Sequence, residues 1–527
     1  MATQLHYFDP AWIQPSSEEL RVDVCVYGGS SAGVIAAVTA AAAGKSVVLL
    51  QPGLHLGGLS SGGLGWTDYG RKHVIGGRSR QFYARIGRQY GLAEEWHFEP
   101  HVAEGVFGDL MREAGVPVRL AQYLDRVERA GQRIGRITLL GGLAVRARVF
   151  IDATYEGDLM AKAGVSYTVG RESNATYGES LNGIQVRNYH QFSHPVDPYI
   201  RPGDPSSGRL PFVDAEDRTL QQGQGDRRVQ AYNFRVCMTD DPALRLPWPQ
   251  PADYAPLQYE LARRWFSGAK DAYNEQLRTA DGVPAKFDIL PRRTPGGFHK
   301  TDTNNHGPVS SDFIGANHAW PEADYATRER LFQAHVSYQQ GLYWCLANDP
   351  AIPPRYREAY GRWGLPRDEF ADTGHWPHQL YVREARRMVG DYVITERDCM
   401  GTSRPDDPVG MGSYTLDSHN CSRFIHAGQV LNDGDVQVPP TDPYPISYRS
   451  LVPRRGECEN LLVPVCISAS HIAYGSARME PVFMVLGESA ALAAALAIDH
   501  ELAVQAVPYA RLRGRLEAAQ QILELRR

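Results

Sequence analysis

The stretch Arg21-Val22-Asp23-Val24-Cys25-Val26-Tyr27-Gly28-Gly29-Ser30-Ser31-Ala32-Gly33 decides how the rest of this chain is read. Valines at 22, 24 and 26 spell a buried strand that stops at Gly28-Gly29. The Ala-rich run 31–43, closed by Gly44, reads as a helix, and residues 46–50 as a second buried strand. Together they make a βαβ unit. The turn keeps the first and third glycines of the dinucleotide fingerprint, Gly28 and Gly33, and carries Ser30 in the middle place. Gly28 permits the tight turn, and Gly33 lets the helix lie close on the strand. The free N–H groups of a helix beginning at Ser31 and Ala32 suit a diphosphate, to which the Ser30 hydroxyl can also donate. At the end of the second strand stand Gln51 and Pro52, where an acidic side chain usually accepts from a ribose.

Working outward, residues 82–90 and 103–114 read as helices, and 118–120, 123–128, 133–140 and 144–151 as strands. The composition then shifts to loops rich in Pro, Asp, Asn and Trp, with amphipathic helices at 254–266 and 325–347. Strand-like sequence returns at 461–468, followed by an apolar helix at 481–498 and a charged one at 509–525. The expected fold is α/β: a Rossmann-type domain with a parallel sheet plus an inserted mixed α+β substrate domain. Its divisions are an N-terminal extension (1–20), the first part of the nucleotide domain (21–160), the insert (161–406) and the nucleotide domain's C-terminal part (407–527).

With 527 residues, 43% hydrophobic and 22% charged, the chain has ample core for such a plan. A net charge of −5 predicts no nucleic-acid groove. Seven cysteines without a C-x-x-C pair predict free thiols rather than a metal site or disulfide framework. The first twenty residues lack a basic start and apolar run, so a cytoplasmic protein is expected. The apolar stretches 34–50 and 482–498 are interrupted by Gly44-Lys45 and Gly487-Glu488, and no membrane span is expected.

Three further segments extend the pattern. Leu56-Gly57-Gly58-Leu59-Ser60-Ser61-Gly62-Gly63-Leu64-Gly65 is a strip where backbone must pass close to something flat. Ala153-Thr154-Tyr155-Glu156-Gly157-Asp158 matches A-T-x-x-G-D at a strand end. Ser468 to Pro481, containing His471, Arg478 and Glu480, precedes the apolar helix with Gly487. With Arg383-Glu384-Ala385-Arg386-Arg387, these segments resemble the FAD-dependent oxidoreductase family often labelled xanthan-lyase-like, within the glutathione-reductase type of two-dinucleotide-fold flavoproteins. The resemblance implies an extended FAD over Gly28, Gly29, Ser30, Ser31, Ala32, Gly33, Gln51 and Pro52. It also assigns to the cofactor Gly57, Gly58, Leu59, Gly63, Leu64, Ala153, Thr154, Gly157, Asp158, Arg478 and Pro481. Pro481 would open a helix aimed at the flavin, and Arg478 would help stabilise the reduced ring.

No second dinucleotide fingerprint follows, so electrons are expected from a small-molecule substrate and to pass to oxygen or another acceptor. Oxidising a C–OH or C–N bond needs a base, and His471 is the first candidate, with His375, His378 and Arg478 as further catalytic candidates. Asn305, His306, His375, Trp376 and His378 are the equipment for binding a sugar or polyol. Arg383, Arg386 and Arg387 read better as partners of Glu384 and Asp391 than as anion binders. No metal is expected, because nothing near His375 and His378 completes a ligand set. A covalent flavin link at His55 and a homo-oligomer are both left open. The alternatives are a polysaccharide-lyase-type eliminase, which needs no dinucleotide fold, and a non-catalytic flavin-binding module.

Overall fold

The structure, a computed structural model, describes residues 5–268 and 282–525. Strand β1 (Glu19–Tyr27) is followed by α1 (Ser31–Ala42) and β2 (Val47–Leu50). Helices α2 (Gly77–Gln89) and α3 (Pro100–Ala114) lead to β3 (Val118–Arg119). Strands β4 (Leu124–Ala130), β5 (Arg133–Leu139) and β6 (Ala144–Asp152) come next. Among the described residues these join a short late strand, β7 (Leu461–Leu462), in one seven-stranded sheet of order β3-β2-β1-β6-β5-β4, with β7 on β6. Pairings β3-β2, β2-β1, β1-β6 and β6-β7 are parallel, whereas β4, β5 and β6 meander antiparallel at the other edge.

The parallel strands are buried on both faces, which is why Val24 to Tyr27 and Val47 to Leu50 run apolar without alternation. From β1 the chain winds first toward β2 and β3 and later returns to the other side at β6. That reversal opens a crevice at the carboxyl ends of β1 and β6, where this class of sheet binds its ligands.

Helix α4 (Glu260–Gly268), preceded by a 3₁₀ turn at Pro256–Tyr259, and α5 (Tyr325–Asn348) follow in the middle of the chain. They pack a second hydrophobic core that includes Trp265, Trp320, Phe332 and Trp376. After α6 (His471–Ala477) comes α7 (Glu480–Asp499), which lies directly on α1. A Cβ on Gly487 would meet the Ala32 carbonyl oxygen at 2.3 Å, so glycine there sets the spacing of the two helices. Helix α7 is long and apolar enough to cross a membrane, with mean hydropathy 1.9, but that window is entirely buried inside the protein.

Two expected elements are shorter than their sequence pattern. The strand at 461–468 ends at Leu462, because Pro464 has no N–H to give the ladder. The last helix, α8 (Tyr509–Ala518), stops well before residue 525. There Gln520 adopts φ +63°, and the turn brings the Gln521 side chain to Glu488. All seven cysteines are buried and free of disulfides.

Candidate active site

The turn after β1 is built by close approach. Gly28 has φ +103°, and a Cβ there would lie 2.7 Å from the backbone of Ala153 and Thr154 at the end of β6. A Cβ on Gly33 would fall 1.9 Å from the Gly28 carbonyl oxygen. Ser30 caps α1: its Oγ accepts from Gly33 N–H at 3.3 Å and donates to Ala153 O at 2.7 Å. Gln51 Oε1 accepts from Gly29 N–H at 2.6 Å. The Ser30 hydroxyl proton and the Gln51 amide oxygen are therefore engaged within the turn, which corrects the expected donation from Ser30 to a phosphate. Ser31, Ala32 and Gly33 are the first residues of α1.

Ser30, Gly28, Gln51, Pro52, Gly58, Ala153, Thr154 and Tyr155 line one cleft. Its other wall comes from far away in sequence: Leu5 to Tyr7, Phe332, and His378 to Leu380. Behind the cleft, Glu480 Oε2 accepts from Ser31 Oγ at 2.5 Å and Ser60 Oγ at 3.1 Å, and its Oε1 from Tyr155 OH at 2.7 Å. Burial raises the Glu480 pKa, and the three hydroxyls oppose that rise. Tyr155 also accepts from Leu59 N–H at 2.9 Å. Pro481 is the second residue of α7 and is buried.

The glycine strip is glycine largely because protein presses on it. A Cβ on Gly57 would meet the Phe107 ring at 2.3 Å, on Gly58 the Tyr155 hydroxyl at 2.2 Å, and on Gly63 the Arg235 carbonyl oxygen at 1.9 Å. Leu59 and Leu64 are buried. Gly157 and Asp158 stand apart from the cleft lining: Asp158 takes Arg328 Nη2 at 2.9 Å and Arg386 Nη1 at 2.7 Å. Burial pushes its carboxyl up, but those guanidiniums outweigh it and hold Asp158 at about 2. This is a structural ion-pair cluster rather than a cofactor contact.

The expected catalytic and substrate residues separate into distinct places. His471 is 1% exposed, with Nδ1 bonded to Glu384 Oε2 at 2.7 Å and Nε2 to Ser418 Oγ at 3.0 Å. Burial first, then Arg387, lowers its pKa to about 3. With both nitrogens hydrogen-bonded and its charged form disfavoured by burial, His471 is a neutral tie at the start of α6, which corrects its expected role as base. Trp376 is fully buried and sits edge-on to Phe234 in the second core, so it offers no stacking face. His375 Nδ1 donates to Glu369 O at 3.1 Å and fixes its own loop. His378 faces the dinucleotide cleft. Arg383, Arg386 and Arg387 all form buried ion pairs, with Asp312, Asp158 and Glu384 respectively.

Arg478 Nη2 donates to Asp417 Oδ2 at 2.9 Å and its Nη1 to Tyr381 OH at 2.7 Å. Asp417 Oδ2 lies 3.5 Å from His419 Nε2, while His419 Nδ1 bonds Asp312 Oδ2 at 2.7 Å. Asp312 pairs with Arg383, whose Nη2 donates to Asn233 and Asn304. Burial and Arg383 oppose charge on His419, but Asp312 and Asp417 prevail and raise its pKa above the ordinary histidine value. Nearby, His190 Nδ1 bonds Asp435 Oδ2 at 2.9 Å, Asn305 Nδ2 approaches His190 at 3.2 Å, and the His306 ring lies 5.8 Å away. His190 adopts φ +46°, and His190 Nε2 and Asp435 Oδ1 have no hydrogen-bond partner among the described residues. Buried orphans of this kind mark a place for a polar ligand or water.

Sequence reasoning missed His419, Asp312, Asp417, Tyr381, His190, Asp435 and the Glu480 knot. The available signal was Asp417-Ser418-His419-Asn420, where alternation sends Asp417 and His419 to one face and Ser418 to His471 on the other. Among the described residues two clusters have metal-like spacing, His55-Glu104-His378 and Glu99-His101-Glu369. The fold brings His55 and Glu104 close to His378, and the second cluster already holds the Lys300 ammonium.

Residues 23–516 match the family model described as FAD dependent oxidoreductase. No curated protein matches significantly. Solved structures with partial similarity include a flavin-containing monooxygenase from Stenotrophomonas maltophilia, at 21% identity and TM-score 0.20, covering 31% of this chain and 44% of that one. An L-proline dehydrogenase from P. horikoshii matches at 14% identity and TM-score 0.24, over 30% of this chain and 59% of that one. A flavoprotein/dehydrogenase from Cytophaga hutchinsonii matches at 16% and 0.22, over 29% and 44%. The chain thus spans less than two thirds of each of these structures.

Proposed function

The chain belongs to the FAD-dependent oxidoreductase family, and from that premise we propose that it oxidises a C–OH or C–N bond of a polar small molecule, of the polyol or sugar class. The residues fit the cofactor. The tight Gly28 turn, the α1 N-terminus and the cleft beside them form a cradle for an extended dinucleotide, and His378 lines the opposite wall. When bound, FAD supplies a hydride acceptor at N5 and returns the electrons to oxygen or another acceptor.

The observation that carries the substrate class is the buried network around His419 and Arg478. Its carboxylates and guanidiniums balance in charge, and it is bordered by the amides of Asn233, Asn304 and Asn305. Such a set of groups pairs hydroxyls and gives no net attraction for a strongly charged ligand. In its neutral form His419, oriented by Asp312, takes the hydroxyl proton while the carbon's hydrogen leaves. Arg478 and Tyr381 hold the substrate oxygen, and Asn305 and His190 orient a second hydroxyl.

Anaerobic stopped-flow mixing of the FAD-loaded protein with sugars, polyols, hydroxy acids and amines tests this. Bleaching of the visible flavin bands by a neutral polyol supports the reading. Reduction by acids or amines alone, with every polyol inert, refutes the substrate class.

A further inference from the structure

We infer that His378 is a ligand of the cofactor's adenosine half, so that the segment carrying it closes the dinucleotide cleft from the opposite wall. This rests on the FAD reading and adds a binding residue to it. His378 lines the same cleft as Ser30 and Gln51, which mark the diphosphate and ribose end of the βαβ unit.

The second observation is an unexplained pair of polar atoms. His378 is half-buried, yet both ring nitrogens are sealed from solvent and without a hydrogen-bond partner among the described residues. His55 stacks on one ring face at 3.9 Å and 6°, and Phe370 meets it edge-on at 5.6 Å. These contacts fix the ring plane and leave its edges unused. Burial also drives the imidazole toward its neutral form, which carries one donor and one acceptor. A sugar hydroxyl, itself donor and acceptor, satisfies such an edge better than a carboxylate or ammonium would.

The segment cannot easily retreat. Its next residue, Gln379, lies against the glycine strip, where a Cβ on Gly62 would meet the Gln379 Cβ at 2.2 Å. A cation is the competing occupant, since ligand atoms of His55, Glu104 and His378 lie within 4.8 Å of one another. Two observations disfavour it. Glu104 Oε1 is already bonded to His55 Nδ1 at 2.8 Å, and parallel stacked imidazoles direct their nitrogens side by side rather than toward one point.

The test is calorimetric titration of the full-length apoprotein with FAD and, separately, with ADP as a flavin-free probe. His378→Ala should weaken both by about tenfold or more, because a buried donor–acceptor pair is lost. His378→Gln, which retains a donor and an acceptor, should recover part of the loss and also covers the case in which the alanine variant fails to fold. Visible spectra of the bound flavin should stay unchanged. Equal affinities for both probes in wild type and variants would overturn the inference, as would ADP binding that requires added Zn²⁺ and vanishes with a chelator. A folded wild type that binds no FAD would instead refute the cofactor reading itself, a distinct result.

Discussion

Ser31 Oγ donates to Glu480 Oε2 at 2.5 Å, so the first residues of two helices separated by 449 positions share one buried contact. The same carboxylate takes Ser60 and Tyr155, and all three donors belong to cofactor motifs. Glu480→Ala should strand three buried hydroxyls and cost about 1–3 kcal/mol, seen as a lower Tm of the apoprotein. Glu480→Gln keeps an acceptor and should cost less. Equal Tm for all three proteins would show that the knot contributes nothing to stability.

His419 provides the second prediction. Its pKa lies above the usual histidine value because Asp312 and Asp417 outweigh burial and Arg383. The neutral base therefore accumulates only at a pH above that of an ordinary histidine, and flavin reduction should accelerate through that alkaline limb. His419→Asn should keep FAD bound, slow reduction by about a hundredfold and erase the limb. A variant with the wild-type pH profile would remove His419 from proton transfer.

Glu488 predicts a pH dependence of stability. Burial is the first cause lifting its pKa to about 7, against Arg78 and Gln521, which lower it. The folded protein thus holds a proton that the unfolded chain releases near pH 4.5. This contribution is fully present below pH 4.5 and is lost as pH rises through 7. Glu488→Gln should flatten the wild-type decline in urea midpoint across that window. An identical decline in the variant would assign the slope to other groups.

The N-terminal segment is tied over the cleft by Glu329, which takes His6 Nδ1 at 2.8 Å and the Tyr7 and Phe8 amides at 2.7 and 2.9 Å. Leu5, His6 and Tyr7 line the cleft wall. Glu329→Ala should release this strap and speed FAD dissociation several-fold in a dilution experiment, with the bound spectrum preserved. Unchanged dissociation would make the strap irrelevant to cofactor retention.

The βαβ unit was legible because local physics dictates it: valine runs, Gly28 and Gly33 each have one structural solution. The core helix at Glu480–Asp499 was equally plain from its apolar run. Side-chain partners were not legible, since they join distant segments. His471 looked like a base by its position near α7, but the strand bearing Ser418 turns it toward Glu384 and gives the other face to His419. Trp376 and His378, two residues apart, occupy the hydrophobic core and the dinucleotide cleft. His55 and Glu104 reach His378 only through the tertiary fold. Sequence periodicity carries no record of such meetings.

We propose that the Gly28 turn holds the diphosphate of FAD. Equilibrium titration of apoprotein with FAD, followed by flavin fluorescence, tests it most directly with wild type and Gly28→Ala. The Cβ of the variant would strike the Ala153 and Thr154 backbone at 2.7 Å with φ at +103°, displacing the turn. The wild type should saturate at one FAD per chain, and the variant, if its far-ultraviolet circular dichroism is retained, should lose measurable binding. Saturation of both proteins with the same affinity would contradict the account.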